Sequence, residues 1–154
     1  MPADGRRKKI VVGVRDALKT ATGVNYFNDL SVTGTVELGR ETFQSLQEGA
    51  NRVAIRVWDG GDRHRWTGSA DIQGELEVLV HVLVRDAAPT LVERFNDVMA
   101  DITLAIGANR GLGGSSTTLR IGGIDPPTYD FDVAVAHTIV RITATYDYTA
   151  GADR

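Results

Sequence analysis

Cysteine is absent from this 154-residue chain. That removes disulfides, thiol nucleophiles and cysteine-based metal sites at once. Long apolar runs are also missing. The stretch IVVGV (residues 10–14) ends at Arg15 and Asp16, too short for the apolar region of a secretory signal. No window approaches the roughly 18 apolar residues of a membrane span. Positive charge is not in excess, since 17 Lys and Arg face 20 Asp and Glu for a net charge of −3. Nucleic-acid binders show a basic balance or a basic stripe, and the one dense cluster here is Arg6-Arg7-Lys8-Lys9. These absences predict a soluble intracellular protein with no membrane segment and no sequence-specific nucleic-acid site. The length suits one domain, which buries roughly 70% of its unfolded surface without staples. The ends, residues 1–8 and 149–154, are expected to be loose.

What the chain does contain is periodic. Ile10, Val11, Val14, Ala17 and Leu18 recur at helical spacing, which predicts a helix from about Gly5 to Thr20. Four cations in its first turns oppose the helix dipole, so the start frays or the cations meet an external anion. RVAIRVWD (52–59) alternates as a strand. DGGDRHRWTGSA (59–70) reads as a hairpin connection with Arg63, His64, Arg65 and Trp66 near its tip. A long strand follows, from Ile72 to about Arg85. DAAPTLVERFNDVMADITLAI carries the clearest helical stripe, Leu91, Val92, Phe95, Val98, Met99, Ile102 and Ile106, with Asp86 as cap, Pro89 in the first turn and Asp101 among the residues off the stripe. NRGLGGSSTT reads as a loop, LRIGGID (119–125) as a short strand, DPPTYDFD as a turn or extended linker, and residues 133–149 as a long final strand. Residues 21–50 read as a weak strand or hairpin (30–38) and one or two helical turns with Phe43 and Leu46 inward (41–49), or else as one long ordered loop. The expected fold is α+β in two layers, an antiparallel sheet of about four strands with two helices on one face. The element order is α-β-β-α-β-β.

Residues with reactive side chains do not assemble into a catalytic pattern. His64, His81 and His137 lack the helical pairing of a zinc protease. His81 and His137 fall mid-strand as possible neighbours, and two ligands make a poor metal site. GLGGSS (111–116) lacks the lysine and the strand-before, helix-after setting of a phosphate loop. No serine stands in a nucleophile elbow. No residue is therefore assigned to catalysis, to a cofactor or to a metal.

The long strands pose a different question. Leu76, Val78, Val80, Val82 and Val84 share one face, which the helices cover. The other face begins polar with Glu75 and Glu77, then carries Leu79, His81 and Leu83. Val135, His137, Ile139, Arg141 and Thr143 join it from the last strand. A mixed apolar and polar surface of this size is covered either by residues 21–50 or by another subunit. Arg63, His64, Arg65 and Trp66 at the hairpin, and Leu112, Gly113 and Gly114 in the 107–118 loop, are further candidates for protein contacts.

Taken in order, RRKKIVVGVRDALKTA, VAIRVWDGG, LEVLVHVLVRDA, LVERFNDVMADITLAI, the LGG loop and HTIVRITATYDY resemble the tail terminator proteins of long-tailed bacteriophages. The quoted pieces cover a little under half of the chain and place nothing between residues 22 and 50. It implies a non-enzymatic virion protein, assembled in the host cytoplasm. Such proteins form a ring, expected to be a hexamer, at the head-proximal end of the tail. The implied partners are further copies of the chain, the tail tube protein and the head connector. A related neck or tail-completion protein is the neighbouring possibility. A small-ligand α+β domain and a nucleic-acid module built on residues 6–9 and the hairpin are the competing classes.

Overall fold

The computed structural model describes residues 5–48, 51–66, 71–112 and 117–149. Within them the chain is α+β, a mixed six-stranded sheet with three helices. Helix α1 is Gly5–Lys19, strand β1 is Val36–Leu38 and helix α2 is Phe43–Glu48. Strands β2 (Val53–Trp66) and β3 (Asp71–Arg85) follow, then a single 3-10 turn (Ala88–Thr90) and helix α3 (Leu91–Ala108). Strands β4 (Thr118–Ile124), β5 (Thr128–Asp130) and β6 (Val135–Thr149) complete the chain. The sheet order is β1-β2-β3-β6-β4, with β5 also paired to β6.

Four features depart from the expected layout, the first being a third helix, α2, on the second face of the sheet, where two helices on one face were expected. The sheet has six strands rather than about four, because DPPTYDFD contributes β5 and the 30–38 stretch contributes β1. The sheet is not purely antiparallel, since β1 runs parallel to β2, with Val36 opposite Ile55. The presumed hairpin connection at 59–66 is strand. β2 continues through it to Trp66, paired with β3 from Val53↔Val84 to Trp66↔Ile72. The glycines that suggested a turn form a bulge instead. Gly60 is the extra residue between the pairs Asp59↔Val78 and Gly61↔Glu77, and Gly61 takes φ 110°, a conformation that suits glycine.

A second bulge lies at Gly122, between Ile121↔Ile142 and Gly123↔Arg141. Val78 pairs with Ile142, so the two bulges flank the same cross-strand pair from opposite sides. Each adds local twist and bend to its strand.

The main core forms where α1 and α3 pack on one face. Ile10, Val14 and Leu18 from α1, and Phe95, Val98 and Ile102 from α3, meet Ile55, Val57, Val78, Val80, Val82, Val140 and Ile142. The first turns of α1 are helical from Gly5, and cations there meet groups of the same chain rather than an external anion. Arg7 pairs with Asp59 at 2.6 Å, and the Arg6 guanidinium lies 5.5 Å from the centre of the Tyr146 ring. Two of the four N-terminal cations thus find partners within the fold, while Lys8 and Lys9 are exposed.

Candidate interaction surface

The second face of the sheet is covered in part by the chain itself. Helix α2 crosses to it, and Leu46 packs with Ala54, Leu83 and Val135, with Phe43 half-buried at the margin. Leu83 is completely buried. Enclosing such a side chain contributes about 1.5–3 kcal/mol, which anchors a six-residue helix too short to persist alone. Arg85 fixes the C-terminal end of α2, donating to the carbonyls of Leu46 and Asn51. Leu83 is therefore core, not an open contact residue.

Beyond α2 the face stays partly open. Trp58 and Leu79 are a cross-strand pair, and Ile139 lies opposite His81. Trp58, Leu79, His137 and Ile139 are half-buried, whereas His81 is buried. The aromatic rings form a chain. Phe43 and His137 have centroids 4.4 Å apart, His137 and His81 5.7 Å, and His81 and Trp58 6.2 Å. The alternation of the strands therefore did bring the two histidines together. Arg141 closes the far end, donating to Glu77 Oε1 at 2.7 Å and to both Asp125 oxygens at 3.2 and 3.3 Å.

Burial holds the pKa of His81 below its ordinary value, and the nearby His137 pushes it the same way. Burial also lowers His137. The folded state thus prefers neutral rings, while the unfolded chain takes up protons near pH 6.5. Stability should be constant above that pH and fall as the pH drops from about 6.5 towards 5, where the unfolded chain binds more protons. Thermal melts across that window should show the loss, and His81→Gln should flatten it. An unchanged slope in that variant would rule out the pair as its source. The carboxylates of Asp59 and Asp86, whose pKa values are lowered, respond in a more acidic window.

No family model and no curated protein matches this chain. The site must therefore be read from its own residues. Among the described residues no three His, Asp or Glu side chains converge on a common point, and no helix is long and apolar enough to cross a membrane. The side chains of Arg63, His64, Arg65 and Trp66 lie outside the described residues, although their backbone belongs to β2. Gly113 and Gly114 lie outside them altogether. Leu112 packs against the main core, and a Cβ on Gly13 of α1 would come within 3.1 Å of its Cδ2. Leu112 therefore helps to seat α1.

Sequence reasoning missed a second surface. The loop after α1 is fastened to α3 at residues 27 and 28 by Asp101, which is 1% exposed. Its carboxylate accepts the backbone N–H of Phe27 at 2.9 Å and of Asn28 at 2.8 Å, and the Asn28 side-chain amide at 2.9 Å. Arg94 donates to the Asn28 side chain and to Asp86. Leu30 is fully buried beneath the loop. The result is a firmly held loop that presents Phe27 at 70% exposure. The signal lay in spacing, since Asp101 stands three residues after Val98 and four before Ala105, on the ridge that faces inward.

Proposed function

We propose that this chain is a structural virion subunit, the tail terminator of a long-tailed bacteriophage. In this reading it forms a ring of identical copies, expected to be a hexamer, that caps the tail tube, stops its growth and offers the head connector a joining surface. The observation that carries the reading is the strip Trp58, Leu79 and Ile139, only half-buried across three neighbouring strands beside the charged cluster of Arg141, Glu77 and Asp125. An apolar centre with a polar margin is the anatomy of a surface that meets another protein. The resemblance in element order supplies the identity of the assembly.

Negative-stain microscopy and light scattering of the full chain, alone and with tail tube protein, test the proposal. Rings with a central hole are expected, at a multiple of 16.6 kDa, together with arrest of tube elongation. Monomers in both samples would overturn it.

A further inference from the structure

The helix layer carries two surfaces of opposite character on opposite flanks. On the α3 flank, Phe27 stands beside a shallow groove of about 290 Å³ whose walls include Asp86, Glu93, Arg94 and Asp97. Three carboxylates face one guanidinium there. Asp86 is already bound to Arg94, while Glu93 and Asp97 make no ion pair among the described residues. On the other flank, α1 and the edge strand β1 enclose a groove of about 390 Å³ lined by Val11, Val12 and Leu38, with Arg7, Lys8 and Asp59 at its rim. Asp59 is taken by Arg7, so the outward charge of that rim is the ammonium of Lys8. Both helices touch the central strand β3, with α1 extending from there over β2 and β1 and α3 over β6 and β4, towards opposite ends of the strand order.

We infer that the Phe27 loop of one copy docks into the α1–β1 groove of the next, as the subunit contact of the ring. The inference rests on the ring reading above and names the surfaces that build it. The backbone that carries the exposed phenyl ring is held by a buried carboxylate, so docking has little main chain left to order. The groove is apolar at its floor and exceeds the roughly 150 Å³ that accommodates a benzene ring in a protein interior. The rims are complementary, with Glu93 and Asp97 around the knob and Lys8 beside the groove, which steers the two surfaces together and fixes their register. A contact between two different patches on opposite flanks is heterologous, and heterologous contacts propagate from copy to copy until rotation closes a ring.

Single variants in the full chain test this contact. Phe27→Asp spoils the knob and leaves the groove intact, and Val12→Asp does the reverse. Each should weaken assembly by about tenfold or more with an unchanged circular dichroism spectrum. Mixing the two variants should yield dimers and no rings, because each such pair retains one sound contact. Should Val12→Asp fail to fold, the exposed Lys8 serves instead. Lys8→Glu and Asp97→Lys should each weaken assembly, and the two combined in one chain should restore it. Wild-type rings that survive all of these substitutions would overturn the contact while leaving the ring reading standing. Rings that survive while tube binding is lost would assign the surface to the tube protein and likewise overturn it. A wild type that never assembles would bring down the ring reading itself.

Discussion

Replacing Asp101 with alanine should destabilise the protein by about 3 kcal/mol, the largest effect expected of any single polar substitution here. The carboxylate is buried and accepts three hydrogen bonds, two of them from backbone N–H groups. Bonds to a charged acceptor are worth more than neutral ones, and their loss leaves donors without their partner. Asp101→Asn is the sharper test. Its shape is conserved, but its amide nitrogen meets donors where a second oxygen had accepted them, so about half the effect should remain. Urea denaturation measures both variants. Limited proteolysis should also find new cleavage between residues 22 and 29 under conditions where the rest of the domain resists. If Asp101→Asn matched the wild type in both assays, the carboxylate would not be the anchor. Because the same bonds hold Phe27 in position, Asp101→Asn should also weaken ring assembly at temperatures well below its melting point.

Gly74→Ala should destabilise by about 2 kcal/mol, although such a change inside a strand ordinarily helps. Glycine weakens a strand through backbone entropy, and alanine removes that cost where space permits. At position 74 it does not. Gly74 is paired with Tyr146, and the tyrosine ring lies flat across it, so that an added Cβ would stand 2.6 Å from both Cε2 and Oη. The ring has nowhere to retreat, since Tyr146 is 3% exposed and Arg6 is stacked over it. Overpacking of this kind costs about 1–3 kcal/mol. A double-mutant cycle isolates the cause. Added to Tyr146→Ala, the Gly74→Ala change should cost little or become favourable, with a coupling of at least about 0.5 kcal/mol. Simple additivity would mean that the clash is not the mechanism. The expected consequence for assembly is indirect. Tyr146 seats the first turn of α1, and that turn carries Arg7 and Lys8 at the rim of the groove.

The two positions differ in how far they were legible. Gly74 falls at the start of a long alternating strand, where a glycine already suggests a close approach, but nothing local names the residue that approaches. That residue lies 72 positions away and is fixed only by strand register. Asp101 looks like an ordinary polar residue at the margin of a helical stripe until the loop that it binds is in place.

The periodic segments determined their own form and facing. Leu76 to Val84 and Thr138 to Tyr146 alternate over enough residues that a slip of one position would expose the entire core set. The stripes of α1 and α3 permit one inward side each. From these followed the mixed α+β class, the covered face of the sheet, and the adjacency of His81 and His137. Residues 21–50 carry no period long enough to decide anything alone. Three residues of β1 and six of α2 are below the length at which local preference fixes a structure, so contacts distant in sequence settled them. Val36 joined the edge of β2, Leu46 crossed to the second face to meet Leu83 and Val135, and residues 27 and 28 were captured by a carboxylate more than 70 positions away. Which part of the second face is core and which part is free to meet a partner was therefore decided by tertiary packing, because a short helix is placed by the surface that it buries.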